Sequence, residues 1–177
     1  MIVFNDLLTG VEIFSDSFRH KLVDGLYYEV EGKLVYRSDE GVDAYIGANA
    51  SAEGGDEAEN ADVSGKQVID VVDNHNLELI DRPKKSDYKA YLKQYMKLSK
   101  EKIMANKDLN EESYQKYCAD LTKVVIKKIL PNWSNFDVYI GQGYEMTKCT
   151  YVLCDYREDG VTPYFIVFKD QVVETKH

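Results

Sequence analysis

The chain has 177 residues carrying 31 acidic and 22 basic side chains, a formal net charge of −9. A chain of this length can bury roughly 70% of its unfolded surface in a single core, so no disulfide or metal staple is required. Hydrophobic residues at 44% and aromatics at 12% exclude a disordered chain, and no apolar run approaches the ~20 residues of a membrane-crossing helix.

The opening residues Met1-Ile2-Val3-Phe4-Asn5-Asp6 lack the basic and apolar regions of a secretory signal, which predicts a cytoplasmic protein. Ile2-Val3-Phe4 reads as a short strand. Leu26, Tyr28, Val30, Leu34 and Tyr36 then alternate with Tyr27, Glu29, Glu31, Lys33 and Val35, the period of strands. A tight hairpin turn is expected at Glu31-Gly32. From about residue 38 to 65 the chain holds eight acidic residues and no basic one, and its second half has little to bury, so a mobile acidic loop is expected. Val68-Ile69-Asp70-Val71-Val72 is β-branched and predicts another strand.

The middle of the chain changes period. Tyr88, Tyr91, Leu92, Tyr95, Met96 and Ile103 recur at three- and four-residue steps behind Ser86, a candidate helix cap. Asn110, followed by Glu111 and Glu112, opens a second helix whose stripe runs through Tyr114, Tyr117, Cys118, Leu121, Val124, Val125 and Ile129 to Pro131. Residues from about 84 to 130 therefore form a helical hairpin. Beyond it, Phe136–Ile140, Thr150–Cys154 and Tyr164–Phe168 read as strands, with a turn at Asp159-Gly160 and Pro163 at a strand start. The fold class is α+β: one domain over residues 1–177, with a mixed or antiparallel sheet, an inserted αα-hairpin and an acidic loop.

Chemistry-bearing patterns are sparse. His20, His75 and His177 are far apart in sequence, and Cys118, Cys149 and Cys154 form neither a CxxC nor a paired framework. Gly141-Gln142-Gly143 has no third glycine at the spacing of a dinucleotide loop, and no Walker-type phosphate loop occurs. No catalytic set is predicted, and neither zinc nor a nucleotide cofactor is expected. The acidic run could hold calcium weakly, but no ligand set can be assigned because it contains no D-x-[DN]-x-[DN]-G loop.

Charge distribution is more informative. Between Arg82 and Lys128 thirteen basic residues face six acidic ones, so this segment nets +7 and the remainder −16. Lys89, Lys93, Lys97 and Lys100 follow helical spacing on one face, a docking surface for an acidic partner. A nucleic acid is disfavoured, because the rest of the chain repels phosphate.

Particular strings also carry a resemblance. Ile46-Gly47-Ala48-Asn49-Ala50-Ser51-Ala52-Glu53-Gly54 and Asp155-Tyr156-Arg157-Glu158-Asp159-Gly160-Val161-Thr162-Pro163-Tyr164 resemble the two hallmark regions of the translationally controlled tumour protein family. The start of the chain and Tyr27–Lys33 are similar as well, so the resemblance covers essentially the full length. It implies a β core with a helical hairpin and a flexible acidic loop, in a non-enzymatic cytoplasmic protein with several partners. It also implies calcium binding, microtubule (tubulin) binding and a role in growth and survival. The alternative it implies is a guanine-nucleotide exchange factor or nucleotide-free chaperone for a small GTPase. Glu12 matches the family acid on that GTPase-facing surface, whereas Gln142 stands where the family has a second glutamate after Tyr139-Ile140-Gly141. The Asn49-Ala50-Ser51 and Arg157–Gly160 strings are expected to be architectural turns.

Overall fold

The computed structural model describes residues 1–38, 41–42, 65–142 and 148–177. In chain order the elements are β1 (Ile2–Asp6), β2 (Glu12–Ser15), β3 (His20–Val23), β4 (Tyr27–Glu31), β5 (Leu34–Ser38), β6 (Gly41–Val42), β7 (Gly65–Ile69), α1 (Asp70–His75) and β8 (Glu78–Ile80). The hairpin helices α2 (Lys85–Lys107) and α3 (Glu111–Val124) follow, then β9 (Asp137–Ile140), β10 (Val152–Tyr156), β11 (Pro163–Phe168) and β12 (Val172–Lys176).

Six antiparallel strands in the order β3-β4-β11-β10-β9-β8 make the central sheet. Its register sorts the side chains onto two buried faces, because successive residues of a strand point opposite ways. Leu153 lies opposite Val138 and Ile166, and this row packs with the hairpin residues Tyr91, Tyr95, Tyr117 and Leu121. Phe165 lies opposite Val30 and Cys154 on the other face, where Phe4, Ile13, Phe14 and Val71 cover it. Phe4 and Phe14 stack at 4.2 Å between the paired strands β1 and β2 of a second sheet, β12-β1-β2. The central sheet is thus the middle layer, and each large apolar side chain it buries contributes roughly 1.5–3 kcal/mol.

Polar groups fix the hairpin to this layer. Tyr95 donates to Asp6 Oδ1 at 3.1 Å, and the buried Asp6 carboxylate also accepts from Leu8 N at 2.9 Å and Thr150 N at 2.8 Å. Tyr91 donates to the Cys149 carbonyl at 2.6 Å, accepts from Tyr151 N at 3.0 Å, and stacks on the Tyr151 ring at 3.7 Å. Burial pushes the Tyr91 and Tyr95 hydroxyls well above their ordinary range, so both remain donors.

Three local expectations are corrected. Glu31-Gly32 is not a hairpin turn: β4 pairs with β3 and β11, while β5 leaves to pair with β6 and β7. Gly32 donates to the Pro163 carbonyl at 2.9 Å, and a Cβ there would stand 2.9 Å from Asp70 Oδ1. The chain is held against α1 as it crosses between sheets. The strand over Val68–Val72 ends at Ile69, and Asp70 starts a short helix whose Val71 enters the core. Asp70 Oδ1 accepts from Lys33 N and Val71 N, both at 2.8 Å, which favours a helical start over another extended residue. Finally, α2 begins at Lys85 after Lys84, not behind a Ser86 cap. Trp133 Nε1 donates to the Pro83 carbonyl and Arg82 to the Phe136 carbonyl, so tertiary bonds fix the helix entry. The acidic loop and the Asn49-Ala50-Ser51 string lie almost wholly outside the described residues.

Candidate functional site

The hairpin is built by two opposed signals at its turn. Asp108 ends α2 in the left-handed region at φ 54°, its N–H bonding the carbonyls of Met104 and Ala105. Asn110 then caps α3 as expected, Oδ1 accepting from Ser113 N at 2.8 Å. Across the turn Lys100 Nζ reaches Glu111 at 2.9 and 3.1 Å and sits over the Tyr114 ring. The hydrogen bonds of Gln115 and Lys100 hold the Glu111 carboxyl below its ordinary range.

This geometry divides the four lysines. Lys100 is committed to Glu111, whereas Lys89, Lys93 and Lys97 are exposed and form no ion pair among the described residues. Two other hairpin cations are turned inward: Lys107 pairs with the buried Asp170 carboxylate at 3.3 Å, and Lys128 with Glu29 at 3.4 Å. The exposed lysines of the hairpin thus include a row of three on one face of α2, alongside Lys84, Lys85, Lys102, Lys116, Lys123 and Lys127. Beside that row, between α2 and α3, lies an open cavity of 790 Å³, against 330 and 390 Å³ for two other surface cavities.

Glu12 is placed elsewhere. It starts β2, on the layer that covers the opposite face of the central sheet, with its carboxylate half-exposed and 3.3 Å from His75 Nδ1. The ring of His75 is buried and packs edge-on against Phe18. Gly141 backs directly onto Val11, where any Cβ would collide with Val11 Cγ1. The structure thus brings the segment carrying Gln142 against the one carrying Glu12, and separates both from the lysine face.

The Arg157–Gly160 string is a turn, as expected. Asp159 accepts from Val161 N, Thr162 N and Thr162 Oγ1 at 2.6–2.9 Å, and Gly160 takes φ 75°. Arg157 leaves the turn to bond Glu29 Oε1 at 2.9 Å and lies over the Tyr164 ring. Sequence reasoning missed this Glu29 centre, where one buried carboxylate meets Arg157, Lys128 and, at 3.9 Å, Lys21. Burial alone would raise its carboxyl, but the bonds and charges of Arg157 and Lys128 outweigh that and hold it below the ordinary 4.5. No spacing signals it, since the partners are 99 and 128 residues away.

Cys149 and Cys154 are buried, and desolvation pushes both thiols up to about 12. Among the described residues no three His, Cys, Asp or Glu side chains converge as a metal site.

The fold and site define an α+β protein that carries a basic two-helix hairpin on a doubly covered antiparallel sheet. A family model described as translationally controlled tumour protein matches residues 1–173. The translationally-controlled tumor protein of Mus musculus is 40% identical over 174 residues, covering 96% of each chain, and the homolog of Gibberella zeae is 40% identical over 177 residues, covering 99% of each. The solved structure of the Translationally Controlled Tumor-associated Protein of Schizosaccharomyces pombe superposes with a TM-score of 0.70 at 36% identity, covering all of both chains. The chain belongs to the translationally controlled tumour protein family.

Proposed function

We propose that the chain is a non-enzymatic binding protein whose hairpin docks acidic segments of partner proteins, the acidic tails of tubulin being the partner class that the family favours. The observation that carries this reading is the row Lys89, Lys93 and Lys97, outward on a helix anchored by Tyr91 and Tyr95 and unanswered by any described acid. Exposed lysines act as mobile point charges, so they steer and hold an acidic segment without demanding one bonding geometry.

The experiment is co-sedimentation with microtubules across a salt series. Binding weakens as salt rises, and reversal of Lys89, Lys93 and Lys97 to Glu reduces affinity about tenfold or more, each exposed charge contributing up to ~1 kcal/mol. Lys100 is left intact because it is already paired with Glu111. Salt-independent binding, or unchanged affinity in the triple variant, overturns the reading.

A second reading, regulation of a small GTPase, draws on the exposed carboxylate of Glu12 beside His75. Gln142, which follows the Gly141 packed on Val11, supplies no second negative charge. Stimulated nucleotide release that disappears in Glu12→Val would support this reading, and wild-type protein without effect on a panel of small GTPases would end it. Calcium binding is a family-derived expectation. Calorimetry with and without residues 50–64 tests whether that segment supplies the ligands, and identical heats remove it.

A further inference from the structure

The cavity between α2 and α3 differs in chemistry from the lysine face beside it. Its floor is apolar: Leu92 and Met96 from α2, Leu121 from α3, and Val125, Ile126 and Leu130 beyond. Ile126 is 57% exposed, so the apolar floor reaches the surface there. It sits where α3 passes into a π-turn over Val125–Ile129, a local widening that recurs at functional positions in helices. Lys89 and Lys93 form one rim, and no acidic side chain lines the cavity. The opposite rim is neutral and already satisfied: Gln115 donates to Glu111 at 2.9 Å and Thr122 to the Cys118 carbonyl at 2.8 Å.

We propose that this groove seats one amphipathic helix of a partner protein, with apolar side chains at i, i+3, i+4 and i+7 on its floor and acidic residues along the flank facing Lys89 and Lys93. The inference rests on the acidic-partner reading above and deepens it. The α2 wall runs from Ser86 to Met96, about 15 Å at 1.5 Å per residue, which accommodates roughly three helical turns. A third helix lying between two antiparallel helices completes a bundle-like packing that the hairpin alone leaves open. Charge complementarity selects the occupant: two lysines on one rim and neutral groups on the other favour acid on a single flank, so the helix also has a defined orientation. Met96 on the floor gives the groove the adaptability to accept different apolar residues.

Cys118 lines the groove and is the one partly accessible thiol of the three, so it reports occupancy. The full chain is titrated with three synthetic peptides of about 14 residues: leucines at helical spacing with glutamates on one flank, the same composition scrambled, and all glutamate. Affinity is read by fluorescence anisotropy and occupancy by the rate of Cys118 alkylation. The amphipathic peptide binds at least tenfold more tightly than the scrambled one and slows alkylation. Ile126→Gln, at an exposed position that leaves the fold intact by circular dichroism, weakens the amphipathic peptide about tenfold, and the pair Lys89→Glu with Lys93→Glu weakens it several-fold.

Equal affinity for the three peptides, alkylation at the free rate, and loss only in the lysine pair overturn the groove while leaving acidic docking standing. Loss only in Ile126→Gln, with the lysine pair neutral, overturns the acidic flank and the acidic-partner reading with it. Self-association in sedimentation that disappears in Ile126→Gln assigns the groove to a second copy of the chain and also overturns the proposal.

Discussion

At the scale of single residues, two buried carboxylates do most to tie distant segments together, and they do so differently. Asp6 is satisfied by neutral donors, Leu8 N, Thr150 N and the Tyr95 hydroxyl, so its removal strands several buried groups at once. Asp6→Ala is expected to cost at least ~3 kcal/mol, measured by urea unfolding, since each orphaned donor costs roughly 1–3 kcal/mol. Tyr95→Phe, which removes one donor, should cost ~1 kcal/mol. Glu29 is satisfied by charge instead. Its folded-state carboxyl lies below the ordinary 4.5, so the folded state binds the proton less readily than the unfolded one. The stability this contributes is fully present above about 4.5 and is lost as pH falls through the lower folded value. Glu29→Gln should cost ~2 kcal/mol at neutral pH, and the gap to wild type should close as the solution is acidified below 4.5. A gap that stays constant with pH would show that the ion pairs with Arg157 and Lys128 do not set this dependence.

At the scale of elements, the hairpin was the most legible part of the chain because its signals are local. A tyrosine stripe at three- and four-residue steps, Asn110 at the second cap and Pro131 at the end all act within a few residues of where they stand. Asn110→Ala should lower stability by ~1 kcal/mol and fray the first turn of α3, seen as faster amide exchange over residues 111–114. The strands were legible as strands, and their partners were not. β4 and β5 are separated by two residues and look like a hairpin, yet β4 is claimed by β11, some 130 residues later, because both its faces can be buried there. The short β3 and β8 and the C-terminal β12 have little apolar pattern of their own and are held mainly by their neighbours. The site followed the same rule. Lysine spacing revealed the basic face, but the diversion of Lys100 to Glu111 and the open groove beside the face depend on how the two helices meet.

At the scale of the whole molecule, the net −9 conceals a division of charge that the fold turns into geometry. The segment from Arg82 to Lys128 carries +7; of its thirteen cations two close onto Asp170 and Glu29 and one closes the hairpin turn, while Lys89, Lys93 and Lys97 are among those that stand outward. Glu12 belongs to the layer on the far side of the central sheet, so an acidic partner on the hairpin and a contact through Glu12 would be made by separate surfaces. The two can therefore be told apart residue by residue. The most direct measurement is an amide-resolved NMR titration of the full chain with a synthetic peptide of the acidic tubulin tail. The account predicts salt-sensitive shifts concentrated on residues 86–97 and on the facing positions 115–126, with little change around Glu12. Shifts centred on Glu12 and His75, or none on α2 at low salt, would contradict it.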